Sequence, residues 1–355
     1  MLSKRTRNKM RELSTIEIKR LFEDVTELGA RYLCLSGGEP TLRSDIFEII
    51  QSAKEKGLQV ELITNGTLVN QNFAEKLVTS GLDILTFSLD SAESYPHDFI
   101  RGVKGSWIKT VEGIKYTNYA RIKLKRNMPK ISIDYVVTRL NVDQIVKVVN
   151  LKCELGFDKI HFLPVIQKTA RAKNLLLGYH ELEKLCSILP QIKNQMKMNE
   201  LPIDSLITLA YICRFREATV RGEYALPLRS EIICTQPWYM ATIDPFGNVY
   251  PCCYACTFQN MPDEYAIYST IEQKFNMGNI KNETFKDIWD GPKFRSFRMK
   301  CKTPLAFNFC KICNYNPERD IFFTGIFYKP SFMLKYINEK LRTSYNPLQT
   351  KYFYF

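Results

Sequence analysis

Short runs of branched apolar residues alternate with longer segments whose apolar residues recur every three to four positions. Ser14-Thr15-Ile16-Glu17 is a capping-box signature. It predicts a helix with Ile18, Leu21, Phe22, Val25 and Leu28 on one face, closing at Gly29. A strand follows over 31–36 and ends in Gly37-Gly38-Glu39-Pro40. The same alternation continues. A helix begins at Ser44 or Asp45 and carries Ile46, Ile49, Ile50 and Ala53, and a strand over 58–63 runs into Thr64-Asn65-Gly66. A helix over 70–80 then leads to a strand over 82–89 that ends in Ser88-Leu89-Asp90. Helices near 106–120, 142–155 and 180–196 and strands at Ile131–Val137 and Lys159–Leu163 complete the pattern.

Five short, apolar strands separated by helices predict a parallel sheet covered by helices. The spacing is that of a (β/α) barrel, but the chain opens on a helix. The expected fold is therefore α/β, a partial parallel barrel lacking its first strand. In such folds the ligand lies at the carboxyl ends of the strands. Gly37–Pro40, Thr64–Gly66, Ser88–Asp90 and Thr138 all fall there. Two glycines let a ligand approach the main chain, and Pro40 biases Glu39 toward an extended conformation. A carboxylate fixed beside bare backbone suits an ammonium group; the plainer alternative is a strand-to-helix turn with an exposed Glu.

The net charge of +13 and 45% hydrophobic content fit a soluble globular protein with local basic faces, and nothing selects a nucleic-acid partner. No apolar run is long enough to cross a bilayer, and the basic N-terminus lacks the apolar core of a signal peptide. A cytoplasmic setting is expected. There the eleven cysteines read as metal ligands where they cluster. Cys34, Cys153, Cys186 and Cys213 are scattered, whereas Cys234, Cys252, Cys253, Cys256, Cys301, Cys310 and Cys313 crowd together. Asp244 to Tyr250 reads as a hairpin turning at Gly247, which would bring Cys234 and Cys252 to a common site. Cys310-Lys311-Ile312-Cys313 presents two more thiolates, completing a four-thiolate site. Spacing alone leaves zinc and an iron–sulfur cluster both open. His97, His161 and His180 show no metal spacing.

Gly-Gly-Glu-Pro, Thr-Asn-Gly and Ser-Leu-Asp at successive strand ends resemble the radical S-adenosylmethionine (SAM) enzymes over about residues 10–200. The resemblance implies that Gly37, Gly38, Glu39 and Pro40 hold the amino group of SAM. Asn65, Ser88 and Asp90 would then line its ribose and methionine parts, with Arg101 nearby. Residues 230–316 are similar to a SPASM domain, through Cys-x₁₂-Gly-x₄-Cys, Gly-Asn-Ile, the Ile-Trp helix and Cys-x-x-Cys. That implies one auxiliary [4Fe–4S] cluster on Cys234, Cys252, Cys310 and Cys313, with Cys253 as the substitute for Cys252.

The family holds its catalytic [4Fe–4S] cluster on a Cys-x-x-x-Cys-x-x-Cys loop, and no cysteine precedes Cys34 here. A fragment of a longer chain is the favoured explanation, over a form that has lost radical chemistry. The expected organisation is a partial barrel over 1–200, a connector over 201–229, a cysteine-rich α+β SPASM-like domain over 230–320 and a helical, aromatic tail over 321–355. The resemblance further implies hydrogen abstraction by a 5′-deoxyadenosyl radical from a peptide, protein or small molecule. An electron donor such as ferredoxin or flavodoxin would serve it. The competing reading is a non-catalytic zinc- or iron–sulfur-binding scaffold.

Overall fold

The computed structural model describes residues 11–167, 169–224, 234–259, 275–303, 306, 310, 313 and 351–354. Helix α1 (Thr15–Glu27) starts as its sequence dictates. The Ser14 hydroxyl accepts from the Glu17 amide, and the Glu17 carboxylate accepts from the Ser14 amide at 2.7 Å. Strand β1 (Ala30–Leu35) follows, then α2 (Ile46–Glu55), β2 (Gln59–Thr64), α3 (Gln71–Thr79) and β3 (Ile84–Ser88). Two helices, α4 (Ser94–Arg101) and α5 (Ser106–Lys123), lead to β4 (Lys130–Val137). The predicted helix over 142–155 is broken into α6 (Ile145–Asn150) and α7 (Lys152–Leu155) ahead of β5 (Lys159–Pro164). Helix α8 (Ala170–Lys173) precedes the long α9 (Tyr179–Met198). The expected connector carries α10 (Leu206–Arg214) and α11 (Arg216–Arg221), and α10 packs against α9 and β5.

The five strands β1 to β5 are parallel, in sequence order, and curl as a half-barrel. Alternation divides them into two faces. Leu33, Leu35, Val60, Leu62, Leu85, Phe87, Ile131, Ile133, Ile160 and Phe162 bury against the helices. Cys34, Glu61, Thr86, Asp134 and His161 fall on the opposite, concave face. There Thr86 donates to Glu61 at 2.5 Å, Tyr32 also donates to Glu61, and the Asp134 carboxylate meets Nδ1 of His161 at 3.0 Å. A closed barrel packs this face with branched apolar residues; a polar layer instead suits an open wall that faces a ligand.

The second region is a hairpin of β6 (Met240–Ile243) and β7 (Asn248–Tyr250), turning at Gly247 with φ +89°. The Asp244 carboxylate secures the turn by accepting from the amides of Phe246 and Asn248 at 2.9 and 3.0 Å. Helix α12 (Cys253–Gln259), strand β8 (Gly278–Asn279), α13 (Phe285–Trp289) and α14 (Pro292–Lys300) complete it. Arg298 of α14 lies 4.3 Å from the Trp289 ring and 4.4 Å from that of Phe294, donating to the carbonyls of Trp289 and Pro237. Burial lowers its pKa to about 10. The region docks on α1 and the residues ahead of it, through the Leu13 amide to the Pro245 carbonyl (2.7 Å) and the Phe285 amide to the Asp24 carboxylate (3.0 Å).

One feature of the sheet differs from expectation. Strand β9 (Lys351–Tyr354) runs parallel to both β1 and β6 and joins the two regions in one nine-stranded sheet. From the sequence, the first strand of the barrel is expected to be missing and these residues to belong to a helical, aromatic tail. An unpaired edge there would leave the backbone amides and carbonyls of β1 unsatisfied, and Lys-Tyr-Phe-Tyr has the aromatic character that suits a strand. The rest of the tail, including its expected helix, lies outside the described residues.

Behind β3 a buried polar knot ties the strand ends together. Asp90 is fully buried and bonds Arg101 at 2.7 Å and the Val136 amide at 3.0 Å. Its own amide donates to Nδ1 of His97 at 3.1 Å, and its carbonyl accepts from Asn141 at 2.7 Å. His97 is buried, and desolvation, with the Arg101 charge, lowers its pKa to about 4 against the opposing pull of Asp90 and Asp98.

Two outcomes are expected. The unfolded chain holds a His97 proton below about pH 6.5 that the folded chain refuses until about pH 4. The contribution of neutral His97 is complete above pH 6.5 and is lost as pH falls to 4, about 3 kcal/mol in all. Urea midpoints measured from pH 7 to 4 will fall less steeply in His97→Gln than in the parent; parallel curves would contradict this. At Gly66 (φ +77°) an added Cβ would stand 2.8 Å from the Phe87 ring and 3.3 Å from Thr110 Cα. Gly66→Ala should cost roughly 1–3 kcal/mol, read as a lower urea midpoint, and an unchanged midpoint would show that the backbone relaxes.

Candidate functional site

The Gly37–Pro40 turn is built by hydrogen bonds to its own carboxylate. Pro40 opens a single 3₁₀ turn, and Glu39 is its extended N-cap residue. Oε1 of Glu39 accepts from the Thr41 amide (3.1 Å), the Thr41 hydroxyl (2.6 Å) and the Thr64 hydroxyl (2.7 Å). Oε2 accepts from the Asn65 amide at 2.8 Å. Glu39 thus clamps the end of β1 to the end of β2. A carboxylate in this setting is expected from sequence to receive an ammonium group; in the structure both of its oxygens accept hydrogen bonds from within the protein. What the turn leaves open is backbone. Gly37 (φ +128°) and Gly38 are both exposed, and a Cβ built on either meets nothing within 4 Å. That is the cradle a ligand's amino group and carboxylate would use, as donor and acceptor to main chain.

Asn65 continues this ledge at the end of β2. Its Oδ1 accepts from the Thr67 amide and hydroxyl at 2.9 and 2.7 Å, and Thr110 donates to its carbonyl at 2.7 Å. Ser88 closes β3 and is half-buried. In register it faces Asp134 of β4, which in turn faces His161 of β5. Asp90 stands apart from the other candidates: its side chain points into the knot behind the ledge, against Arg101. Gly37, Gly38, Glu39, Pro40, Asn65 and Ser88 therefore occupy adjacent strand ends, while Asp90 supports them from within.

Residues not singled out from sequence also contribute. Thr41 and Thr64 hold Glu39, and Glu61, Asp134 and His161 form the polar concave wall. The signal for the last three was a charged or polar residue at the centre of otherwise apolar strands. Cys34, fully buried on that face, has its thiol pKa raised by burial and by Glu61 and Asp134.

Cys252 and Cys253 lie where β7 gives way to α12, which packs against β6 and β7. Cys252, Cys310 and Cys313 are buried and Cys234 is half-buried. Burial raises the Cys252 thiol, and the neighbouring thiols of Cys253, Cys234 and Cys313 raise it further, against the Ala255 amide, which donates to its sulfur at 3.4 Å. The Cys313 amide donates to the Cys310 carbonyl at 3.3 Å, the tight turn expected of a Cys-x-x-Cys loop. Among the described residues no three ligands are drawn together at metal-binding distance. The donor set is nonetheless thiolate only, which suits an iron–sulfur cluster or zinc. The Cys252 electrostatics place Cys234, Cys253 and Cys313 in one neighbourhood.

Comparison with known proteins bears on both regions. The model of the Radical SAM superfamily matches residues 2–151, and that of an iron–sulfur cluster-binding domain, SPASM, matches 234–314. An AdoMet-dependent heme synthase of Methanosarcina barkeri is 28% identical, covering 86% of this chain and 80% of its own. The mycofactocin maturase MftC of Mycolicibacterium smegmatis is 26% identical, covering 86% and 69%. Among solved structures, Streptococcus suis SuiB bound to S-adenosylmethionine superposes with a TM-score of 0.58 at 18% identity, covering 87% of this chain and 67% of that one. These domains imply S-adenosylmethionine and [4Fe–4S] clusters as cofactors, and the enzymatic relatives favour an enzyme over a scaffold. The chain thus carries a Radical SAM superfamily domain over residues 2–151 and a SPASM iron–sulfur cluster-binding domain over 234–314.

Proposed function

We propose that this chain binds SAM on the Gly37–Ser88 ledge and serves an enzyme that modifies a peptide by hydrogen abstraction. The observation that carries the reading is the open Gly37-Gly38 backbone beside a carboxylate clamped by four hydrogen bonds. A fixed turn with exposed amides and carbonyls binds a zwitterionic amino-acid moiety without reorganising. Asn65 and Ser88 would hold the ribose side, and Pro40 and Glu39 keep the turn in place. Asp90 and Arg101 act from behind, fixing the end of β3. Bound SAM would supply hydrogen-abstraction chemistry once it receives one electron. The protein's part is to orient the sulfonium and keep water out.

Cys234, Cys252, Cys310 and Cys313 would hold the auxiliary [4Fe–4S] cluster, with Cys253 next to Cys252 as the nearest replacement. A peptide substrate is supported by relatives named PqqA peptide cyclase and mycofactocin maturase, and by a fold neighbour solved with its precursor peptide. The reaction also calls for a one-electron donor of the ferredoxin or flavodoxin kind, which fits a reducing cytoplasm. No helix among the described residues is long and apolar enough to cross a membrane.

Equilibrium dialysis with labelled SAM tests the ledge. A Cβ at Gly38 meets nothing, so Gly38→Val should keep the fold while filling the ligand's space. We expect saturable binding to the parent chain and about tenfold or greater weakening in the variant; equal binding by both, or none by the parent, refutes the ledge. Glu39→Gln sets an amide donor against amide and hydroxyl donors, and should lower both the urea midpoint and SAM affinity, costing roughly 1–3 kcal/mol of stability. Since no cysteine precedes Cys34, the reduced, reconstituted chain should bind about one cluster and release no 5′-deoxyadenosine. Nucleoside release would overturn that, and zinc in place of iron and sulfide would favour the scaffold reading.

A further inference from the structure

Helix α4 and the connections beside it form a surface that neither the ledge nor the cluster site uses. The helix buries only His97 and leaves Tyr95 75% and Phe99 46% exposed. These two residues are one helical turn apart, with ring centres separated by 6.1 Å. Arg171 of α8, in the connection after β5, crosses to this pair. Its guanidinium lies 5.6 Å from the Phe99 ring centre and donates to the Phe99 carbonyl. It also lies against Gly102, where an added Cβ would stand 2.7 Å from Nη1. Gly102, left-handed at φ +73°, ends α4 and is followed by the exposed Val103 and Lys104. The Arg139 amide, in the turn after β4, donates to the Leu175 carbonyl just past α8 at 3.1 Å. The connections after β3, β4 and β5 are thereby joined in one surface at the carboxyl edge of the sheet.

Charge on this surface has one sign. Lys104, Arg139, Arg171 and Lys173 are all exposed. Over 94–105, 138–141 and 169–178 the one acidic residue is Asp98. Its carboxylate is occupied, accepting from the Gly105 amide (2.6 Å), the Trp107 amide (2.8 Å) and the Ser106 hydroxyl (2.9 Å). Among the described residues Lys104, Arg139 and Lys173 form no ion pair. Exposed rings beside uncompensated cations suit carboxylates interspersed with apolar side chains. We propose that this surface docks an acidic segment of a peptide substrate. Its carboxylates meet Lys104, Arg139 and Lys173, and an apolar side chain packs on Tyr95 and Phe99. The inference rests on the reading of the ledge as part of a peptide-modifying site. A folded partner would cover about 800 Å² on this side, whereas a pair of rings flanked by a few cations suits a short segment. The ion pair of Arg101 with Asp90 ties α4 to the end of β3, so a peptide docked here is held in fixed relation to the ledge.

The test uses the full chain, reconstituted anaerobically, and the fluorescence anisotropy of short labelled peptides. One peptide alternates Glu with Leu and Tyr, a second has Lys for every Glu, and a third has Ser for every Leu and Tyr. Saturable binding of the first is expected, with both controls about tenfold weaker or more. Tyr95→Ser, and the combination of Lys104→Glu, Arg139→Glu and Lys173→Glu, should each weaken it by about fivefold or more. In both variants SAM dialysis and the urea midpoint should match the parent. Equal binding of the acidic and basic peptides, or parent-like binding by the triple variant, overturns the docking surface. So does a dimer in light scattering that Tyr95→Ser dissociates, which assigns the patch to a second copy of the chain. SAM bound without the acidic peptide sinks this inference and leaves the ledge standing. The peptide bound without SAM sinks the ledge and leaves the docking surface.

Discussion

The contact on which the site depends is the clamp of Glu39 across two strands. Parallel neighbours such as β1 and β2 are joined by crossover helices, so nothing local fixes how their ends align. One carboxylate accepting from Thr41, Thr64 and Asn65 supplies that alignment at the point where a ligand would bind. An ionised acceptor makes stronger hydrogen bonds than a neutral one, and four of them hold the turn with little freedom left. The exposed Gly37 and Gly38 are usable as a binding surface because the residue next to them is immobile.

The knot around Asp90 performs the same task one strand further on. Asp90 reaches β4 through Val136, α4 through Arg101 and His97, and the turn after β4 through Asn141. Burying a carboxylate beside a guanidinium is stable only when polar atoms around them find partners; the Val136 amide donates to the carboxylate, and the neutral imidazole accepts from the Asp90 amide. The ledge is thus braced from both ends, by an accessible carboxylate in front and a buried one behind.

Much of this was legible in the sequence. The capping box at Ser14, the five strands and the polar residues at their ends follow from periodicity and turn chemistry, and each lies within a few residues of its place. Other features were hidden for identifiable reasons. Helix α4, Ser-Tyr-Pro-His-Asp-Phe-Ile-Arg, contains a proline and buries only His97, so it carries no apolar stripe to announce it. The break after Asn150 falls within an apolar run that periodicity reads as continuous. Asp90 looked like a ligand-facing strand end because sequence gives a residue's position along a strand but not the rotation of a loop side chain. The pairing of β9 beside β1 joins residues some 320 apart in the chain, and no local pattern encodes it.

The cysteine region is bound by a different constraint. A thiol binds metal as thiolate, yet burial and three neighbouring thiols push Cys252 the other way. The same closeness that raises the Cys252 thiol opposes ionising it. A metal centre reverses the balance, since its charge offsets the desolvation and the mutual repulsion at once. Thiolate ligation of a metal there would release protons. Helices α13 and α14 already pack through Phe285, Ile288, Trp289, Phe294 and Arg298. They form a platform whose stability rests on apolar burial.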